Sequence, residues 1–173
     1  MAANLHSPGK LRRASGFTLL EASLVTVIIG VGVVGMLQLL ASGTAANADG
    51  AELSMGMNLA RNVREMSLSL SFTDPTTPTR WGLDSGESLS ALSLDDLNDL
   101  DGATFSPPLD ARKQRLNDLT TWSQTVTVQT VSPDWLTLDV TRGTEPAARV
   151  TVIVQHHGHE VCRLSWYAFE ASQ

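Results

Sequence analysis

Residues 16–41 read GFTLLEASLVTVIIGVGVVGMLQLLA, an apolar run in which Glu21 is the only ionisable side chain. As an α-helix, the part from Phe17 to Ala41 would be about 37 Å long, which exceeds the ~30 Å hydrocarbon core of a bilayer. The run therefore predicts a single transmembrane helix. Because a carboxylate within such a helix costs about 2.5–3.5 kcal/mol, Glu21 needs a partner or a function.

A short basic leader, residues 1–16, precedes the apolar run. It contains Lys10, Arg12 and Arg13 and no acidic residue. Positively charged residues flank the cytoplasmic side of membrane helices. The leader is therefore predicted to lie in the cytoplasm, and the residues after the helix on the opposite side of the membrane.

The short leader, the junction between Gly16 and Phe17, and the glutamate at Glu21 together resemble the class III signal of type IV pilins and type II secretion pseudopilins. The resemblance covers about the first quarter of the chain. It implies that a prepilin peptidase cuts after Gly16 and N-methylates the new terminal residue, Phe17. It further implies that Glu21, at an i, i+4 spacing from Phe17, pairs with the terminal amine of a neighbouring subunit and sets the assembly register.

The resemblance also implies a location and a set of partners. The chain would be a single-pass protein of the bacterial inner membrane with a periplasmic head, and it would join a filament. Its partners would be other pilin or pseudopilin subunits, the prepilin peptidase and the inner-membrane assembly platform. Many major pilins close their C-terminal region with a disulfide, which the single cysteine, Cys162, does not allow. The sequence therefore favours a pseudopilin or a minor pilin over a major pilin.

Other interpretations of the N-terminal run stay open. Ala46-Asn47-Ala48 is an A-x-A signal peptidase site, although the apolar core before it is longer than the usual ~7–15 residues. Arg12-Arg13 suggests twin-arginine export. A plain anchor would make the chain a membrane-tethered periplasmic binding module, and release after Ala48 would make it a secreted hydrolase. A snorkelling carboxylate at the membrane interface is the alternative role for Glu21.

The charge of the chain disfavours direct binding to nucleic acids. The sequence has 12 Lys and Arg residues against 18 Asp and Glu residues, for a formal charge of -6. Three of the basic residues belong to the leader, so the remainder carries about -9. Nucleic acids bind basic surfaces through counterion release, which an acidic body does not provide. No nucleic acid partner is expected.

The residues after the membrane helix are predicted to form a neck and a helix continuation over 42–71. Glycines at 43, 50 and 56 predict a flexible or bent neck around 42–51, followed by a firmer helix from about 52 to 71. An amphipathic stripe runs along that second helix, with apolar residues at helical spacing. Its members are Leu59, Val63, Met66 and Leu70.

The head, residues 72–173, begins with a loop from Ser71 to Gly86 and ends with four segments of alternating polarity. Short connectors between these segments predict an antiparallel meander that covers the amphipathic helix. The fold class is therefore α+β: a long N-terminal transmembrane helix packed on a C-terminal antiparallel sheet of about four strands, as the pilin-like resemblance also implies. The predicted strands are Trp122–Val131, Trp135–Thr141, Ala148–His156 and Glu160–Phe169, and the connectors are Ser132-Pro133-Asp134, 142–146 and His157-Gly158.

An acidic, leucine-containing segment over 88–100 is either a short helix or a loop that pins its leucines onto the head. Some pseudopilins bind calcium in a head loop, so the resemblance makes its carboxylates calcium candidates. The spacing does not match a calcium-binding loop, and a solvated acidic face is the preferred interpretation. No other cofactor is expected. The candidate ligands are Asp95, Asp96, Asp99 and Asp101.

Other chemistry-bearing residues are given structural roles. His156, His157 and His159 beside Glu160 are predicted to form a polar hairpin turn. Cys162 shares its strand parity with Leu164, Trp166 and Ala168, which predicts a buried apolar role. The sequence contains no Gly-rich phosphate loop, nucleophile elbow or zinc-ligand set, so an enzyme is not predicted. The tryptophans, Trp81, Trp122, Trp135 and Trp166, are predicted to pack in the core and at its edges.

Overall fold

The structure, a computed structural model, describes residues 16–74, 81–82 and 94–171. The leader before Gly16, including Lys10, Arg12 and Arg13, lies outside these residues. So do most of the predicted loop up to Gly86 and residues 88–93 of the leucine-containing segment.

One α-helix, α1, extends without interruption from Leu19 to Ser67. Its N-terminal part contains a stretch that is long and apolar enough to cross a membrane, none of which is buried inside the protein. The chain divides into two compact units between Asn47 and Ala48, and α1 contributes residues to both. The described residues thus contain a single candidate membrane span and a folded C-terminal unit.

The predicted neck is helical throughout. Residues 42–51 belong to α1, and both Gly43 and Gly50 have open space where a side chain would stand. Each glycine costs about 1 kcal/mol relative to alanine. Helix propagation is cooperative, so two such residues do not end a long helix. The structure therefore has a continuous helix where the glycines predicted a flexible or bent neck.

The C-terminal end of α1 lies at Ser67, a few residues before the predicted end near 71. The Ser67 hydroxyl donates to the carbonyl of Arg64 at 2.7 Å, and the Ser69 hydroxyl donates to that of Met66, also at 2.7 Å. Serine hydroxyls that bond to carbonyls of the last turn compete with continuation of the helix. The chain therefore leaves helical geometry at this serine pair.

Four antiparallel strands form one sheet in the order β1-β2-β3-β4. This confirms the predicted α+β fold with an antiparallel sheet of about four strands. The β3–β4 hairpin closes at His157 and Gly158, whose φ values of 50° and 81° place both in the left-handed region typical of a two-residue hairpin turn. The strands are β1 Thr104–Phe105, β2 Trp122–Thr130, β3 Ala147–His156 and β4 His159–Phe169.

The predicted strand Trp135–Thr141 is not a strand. It lies in the connection between β2 and β3, where a single bridge between Val131 and Asp139 is the only β-pairing. Because β2 and β3 pair directly with each other, the segment between them is not inserted as a strand, and its β-pairing is limited to the bridge beside the end of β2. Trp135 is consequently 72% exposed, contrary to its predicted packing role. The fourth strand is instead β1, which pairs with β2 at Thr125 and Gln124.

The core lies between the C-terminal part of α1 and the inner face of the sheet. Three of the four predicted stripe residues, Leu59, Val63 and Met66, are buried, and Leu70 packs against the core beyond the helix end. The sheet contributes alternate residues of β2 and β3, as its period-two pattern predicts. Its buried aliphatic residues are Val126, Val128, Val150, Val152 and Val154.

A buried glutamine ties three parts of the head together. Gln124 on β2 is fully buried, and its amide nitrogen donates to the carbonyls of Leu59 on α1 (2.8 Å) and Leu109 (3.1 Å). Its amide oxygen accepts from the backbone nitrogen of Leu109 at 2.7 Å. An unpaired buried amide would cost about 1–3 kcal/mol, so these contacts specify how helix, sheet and loop fit together.

α1 lies close to β4 at Gly56. A β-carbon at this position would stand 3.0 Å from Cγ1 of Val161 and 3.3 Å from Sγ of Cys162. The register between β3 and β4 shifts at this point, and Val161 is the extra residue. Such a bulge turns two consecutive side chains toward the same side. Glycine is therefore required here by space and not by backbone angle.

Replacing Gly56 tests this contact. We expect Gly56→Val to lower the free energy of unfolding by about 1–3 kcal/mol, because the added methyl groups must displace Val161 or Cys162. Gly50→Val, in open space on the same helix, should be neutral or slightly stabilising. Denaturant unfolding of the full chain in detergent, followed by tryptophan fluorescence, measures both. Equal stability of the two variants would contradict the close contact, whereas recovery in Gly56→Val with Val161→Ala would support it.

Candidate functional site

The junction between Gly16 and Phe17 is exposed and precedes α1. Residues 16–18 are not helical, Gly16 has nothing within 4 Å of its β-position, and the Phe17 side chain is exposed. Peptidases bind extended backbone, which a helical segment does not offer. The predicted cleavage point therefore lies in backbone that an enzyme can reach.

Thr18 caps the N-terminus of α1. Its side-chain oxygen accepts from the backbone nitrogen of Glu21 at 3.2 Å, and its carbonyl accepts from the backbone nitrogen of Ala22 at 3.1 Å. These two bonds define an N-cap, with Glu21 at the third helical position. The pattern Thr-x-x-Glu before an apolar run is a helix-start signature that is visible in the sequence. The predictions from the sequence did not include this cap.

The Glu21 carboxylate is the one charge on the N-terminal part of α1. From Phe17 to Ala48 the sequence has no other ionisable side chain, and the carboxylate makes no ion pair with any described residue. The neighbouring polar groups are satisfied locally: the Ser23 hydroxyl donates to Leu20 at 2.9 Å and that of Thr26 to Ala22 at 2.9 Å. Any partner of the carboxylate must therefore come from another molecule or from the undescribed residues.

The acidic residues 95–101 do not form the solvated face that was expected. Asp96 and Asp99 are each only 2% exposed, whereas Asp95 is exposed. Asp99 accepts from the backbone nitrogens of Asp95 (3.1 Å) and Asp96 (3.4 Å), and Asp96 accepts from that of Asp99 (3.0 Å). These carboxylates hold a tight turn that includes the 3₁₀ helix Asn98–Leu100. The expectation was wrong because the buried leucines Leu94, Leu97 and Leu100 draw the backbone between them into the core.

Asp101 lies apart from the other candidates. Its carboxylate accepts from the backbone nitrogen of Val128 at 3.0 Å and forms an ion pair with Arg142 at 2.9 Å. The indole nitrogen of Trp81 donates to it at 3.4 Å. Asp101 therefore connects β2 with two loops and takes no part in a shared carboxylate site.

A different set of three carboxylates comes together. One oxygen each from Asp74, Asp95 and Asp96 lies within 4.8 Å of the others. Asp74 follows the end of α1, and it reaches the acidic turn because Leu97 donates to the carbonyl of Ser71 at 2.8 Å. The three oxygens could bind a cation such as calcium, which would take its other oxygens from water or backbone. Asp74 was not among the predicted ligands, since no spacing rule joins it to residues 95 and 96.

Burial changes the acidity of this carboxylate group, called here the acidic cluster (Asp74, Asp95 and Asp96). Burial and the neighbouring charges of Asp99 and Asp95 raise the pKa of Asp96 to about 6, against the opposing effect of backbone hydrogen bonds. Removing a carboxylate from water disfavours its charged form, and nearby like charges add to that effect. The acidic cluster thus concentrates negative charge at a partly desolvated position.

The histidines form a structural turn, with one contact that the sequence did not predict. His156 stacks on Trp122 with ring centroids 4.2 Å apart, and its Nδ1 lies 2.6 Å from a carboxylate oxygen of Glu52 on α1. His157 and Gly158 form the turn of the β3–β4 hairpin. The hairpin end is therefore fastened to the helix through His156, and the three histidines do not converge on one point.

Cys162 has the buried role that was predicted. Its side chain lies against the helix at Gly56. Burial, and to a smaller extent the charge of Glu160, raises the pKa of the thiol. A raised pKa disfavours the thiolate, which is the reactive form of cysteine. The contacts therefore favour packing over nucleophilic chemistry.

The fold and these sites define an α+β protein with one candidate membrane span in the part of the chain that the structure describes. No family model, curated protein or solved structure matches the chain.

The acidic cluster makes stability depend on pH. A carboxyl whose folded pKa is raised above its ordinary value of 3.8 to about 6 favours the folded state below about pH 4 and loses that contribution as pH rises toward 6. We therefore expect Asp96→Asn to raise the melting temperature at pH 7.5 and to have little effect at pH 4. Thermal unfolding at both pH values, with a chelator present, measures the difference.

Asp118→Asn, at an exposed position, is the matched control and should show no such pH-dependent difference. A parallel shift of both variants would indicate a general charge effect and contradict the assignment to Asp96. Adding calcium to the same samples tests metal binding directly. A rise in melting temperature that occurs in the wild type and not in Asp96→Asn would indicate that the acidic cluster binds the ion.

Proposed function

We propose that this protein is a minor pilin or pseudopilin, a structural subunit of a type II secretion pseudopilus or a type IV pilus. A prepilin peptidase would remove the leader after Gly16 and methylate Phe17. The subunit would then assemble through the N-terminal part of α1, with its head in the periplasm. The observation that carries the proposal is an exposed, non-helical Gly16–Phe17 junction followed by the apolar N-terminal part of α1, whose only charge is Glu21.

The electrostatic energies favour an ion-pair partner for the Glu21 carboxylate in addition to the N-terminus of its own helix. A carboxylate in the first turn gains about 0.3–1 kcal/mol from the helix dipole. Placing it in hydrocarbon costs about 2.5–3.5 kcal/mol at a helix centre, so capping alone does not offset burial in an apolar environment. An amine about 4 Å away would contribute about 4 kcal/mol at an effective dielectric constant of 20. The amine of Phe17 in a neighbouring subunit meets that requirement once the leader is removed.

The exposed apolar surface of α1 supports assembly through the same helix. Nearly every large apolar side chain from Leu19 to Leu40 is exposed, so a second apolar environment must cover it. A bilayer covers it before assembly, and packed helices of other subunits would cover it in a filament. Gly30, Gly32 and Gly35 leave open positions at which neighbouring helices can approach closely.

The mature N-terminus tests the processing step. We expect the chain purified from cells with a prepilin peptidase to begin at methylated Phe17, and the chain from cells without it to begin at Met1. Intact mass spectrometry distinguishes these forms. Gly16→Leu should block cleavage, because a side chain would obstruct a site shaped for glycine. A terminus at Asp49 would instead indicate signal peptidase and would overturn the proposal.

The role of Glu21 in assembly is tested by substitution. Glu21→Gln and Glu21→Val should lower the amount of protein in sheared filaments at least about tenfold, as expected for loss of more than about 1.4 kcal/mol. Thr26→Val, which removes a polar group bonded within the same helix, should assemble normally. Thr18→Ala removes the cap alone and should have a smaller effect than either Glu21 variant. Normal assembly of Glu21→Val would show that the helix is only an anchor, as in the binding-module alternative.

A further inference from the structure

β4 forms one of the two outer edges of the sheet, and β1 forms the other. β4 pairs with β3 on one side, and no described strand lies on its other side. An edge strand of 11 residues presents a row of backbone N–H and C=O groups to a possible additional strand. Its N-terminal half is protected by the bulge at Val161 and by the charged pair Glu160–Arg163. Its C-terminal half has neither a bulge nor a charged pair, and the side chains of Tyr167 and Phe169 there are 40% and 57% exposed.

A groove of about 820 Å³ adjoins this unprotected half. It lies entirely within the C-terminal unit, between the residues that follow α1 and the end of β4. Its volume is in the range of about 300–1,000 Å³ that is typical of ligand sites. Its apolar lining includes Leu68, Leu70, Phe72, Tyr167 and Phe169.

The charged residues in the described lining of the groove are acidic. Glu170 and Asp74 line it, and no described lining residue is basic. The C-terminal end of α1, at Ser67, adds the partial negative charge of a helix terminus. Glu170, this helix terminus and the apolar lining together favour a ligand that carries positive charge and apolar surface.

We propose that the groove and the adjoining half of β4 bind an extended basic segment of a partner protein. The segment would add as a strand to the edge at Ser165–Phe169. Alternate side chains of an extended segment point to opposite sides, so only every second side chain would face the groove, and these would include both apolar and basic groups. Backbone hydrogen bonds would supply affinity, and Glu170 would select lysine or arginine over acidic residues. This binding site is independent of cleavage after Gly16 and of Glu21, so either proposal can fail alone.

The test uses the full chain in detergent and a fluorescein-labelled peptide in which threonine alternates with valine and lysine, so that valine and lysine share one face. Fluorescence anisotropy should show saturable binding. Glu170→Gln should raise Kd about threefold to tenfold, as expected for losing one partly exposed ion pair. Glu160→Gln removes a carboxylate from the other end of β4, outside the groove, and should leave Kd unchanged. A peptide with glutamate in place of lysine, and one with alternate backbone amides N-methylated, should bind much more weakly.

Three results would overturn the proposal. The first is the absence of saturable binding by the lysine peptide. The second is a control that fails. If the N-methylated peptide binds as tightly as the unmodified one, the edge of β4 is not used, and if Glu160→Gln weakens binding as much as Glu170→Gln, the groove is not used. The third is a dimer in light scattering that Glu170→Gln weakens and the peptide does not dissociate, because a second copy of the chain would then occupy the groove and would not be held through α1 alone.

Discussion

The head depends on the close approach of α1 to the sheet at Gly56. The helix has no side chain at this point, and β4 has a bulge that directs Val161 and Cys162 toward it. One turn later the carbonyl of Leu59 accepts from Gln124, so the same helix face is held by both steric fit and a buried hydrogen bond. Helix and sheet must meet at one register for both contacts to form. A buried amide specifies such a register better than aliphatic side chains do, since each misplacement leaves polar atoms unpaired.

The same helix serves two environments with one continuous backbone. Its C-terminal part buries an amphipathic stripe against the sheet, while its N-terminal part exposes apolar side chains on every side. No proline interrupts it, and the glycines between the two parts lie where nothing crowds them. The N-cap at Thr18 accounts for where the helix begins and places Glu21 in its first turn. The cap therefore explains where the Glu21 carboxylate lies. It does not replace the ion-pair partner that this carboxylate needs once apolar surroundings replace water.

The acidic turn at residues 95–101 shows how burial changes the role of charged residues from contact with solvent to hydrogen bonding within the protein. Aspartates between core leucines would remain in water only if the backbone stayed at the surface, but Leu94, Leu97 and Leu100 hold it inside. Asp96 and Asp99 therefore satisfy backbone N–H groups, and Asp101 joins β2 to its neighbouring loops. The remaining negative charge collects around Asp74, beside the groove at the end of β4. One set of residues thus stabilises a turn and sets the electrostatic character of the adjoining surface.

The sequence by itself determined the features that depend on local periodicity and composition. These are the apolar N-terminal helix, the buried stripe at Leu59, Val63 and Met66, the β3–β4 hairpin and the inward face of Cys162. Only the tertiary structure decided which segments pair. The alternating residues 135–141 look like a strand, yet β2 and β3 pair directly without them, and the two-residue β1 pairs with the other side of β2. The carboxylates at 74, 95 and 96 and the contact at Gly56 were beyond the sequence for the same reason. Each depends on distances between residues far apart in the chain, and those distances are set by packing and not by local preference.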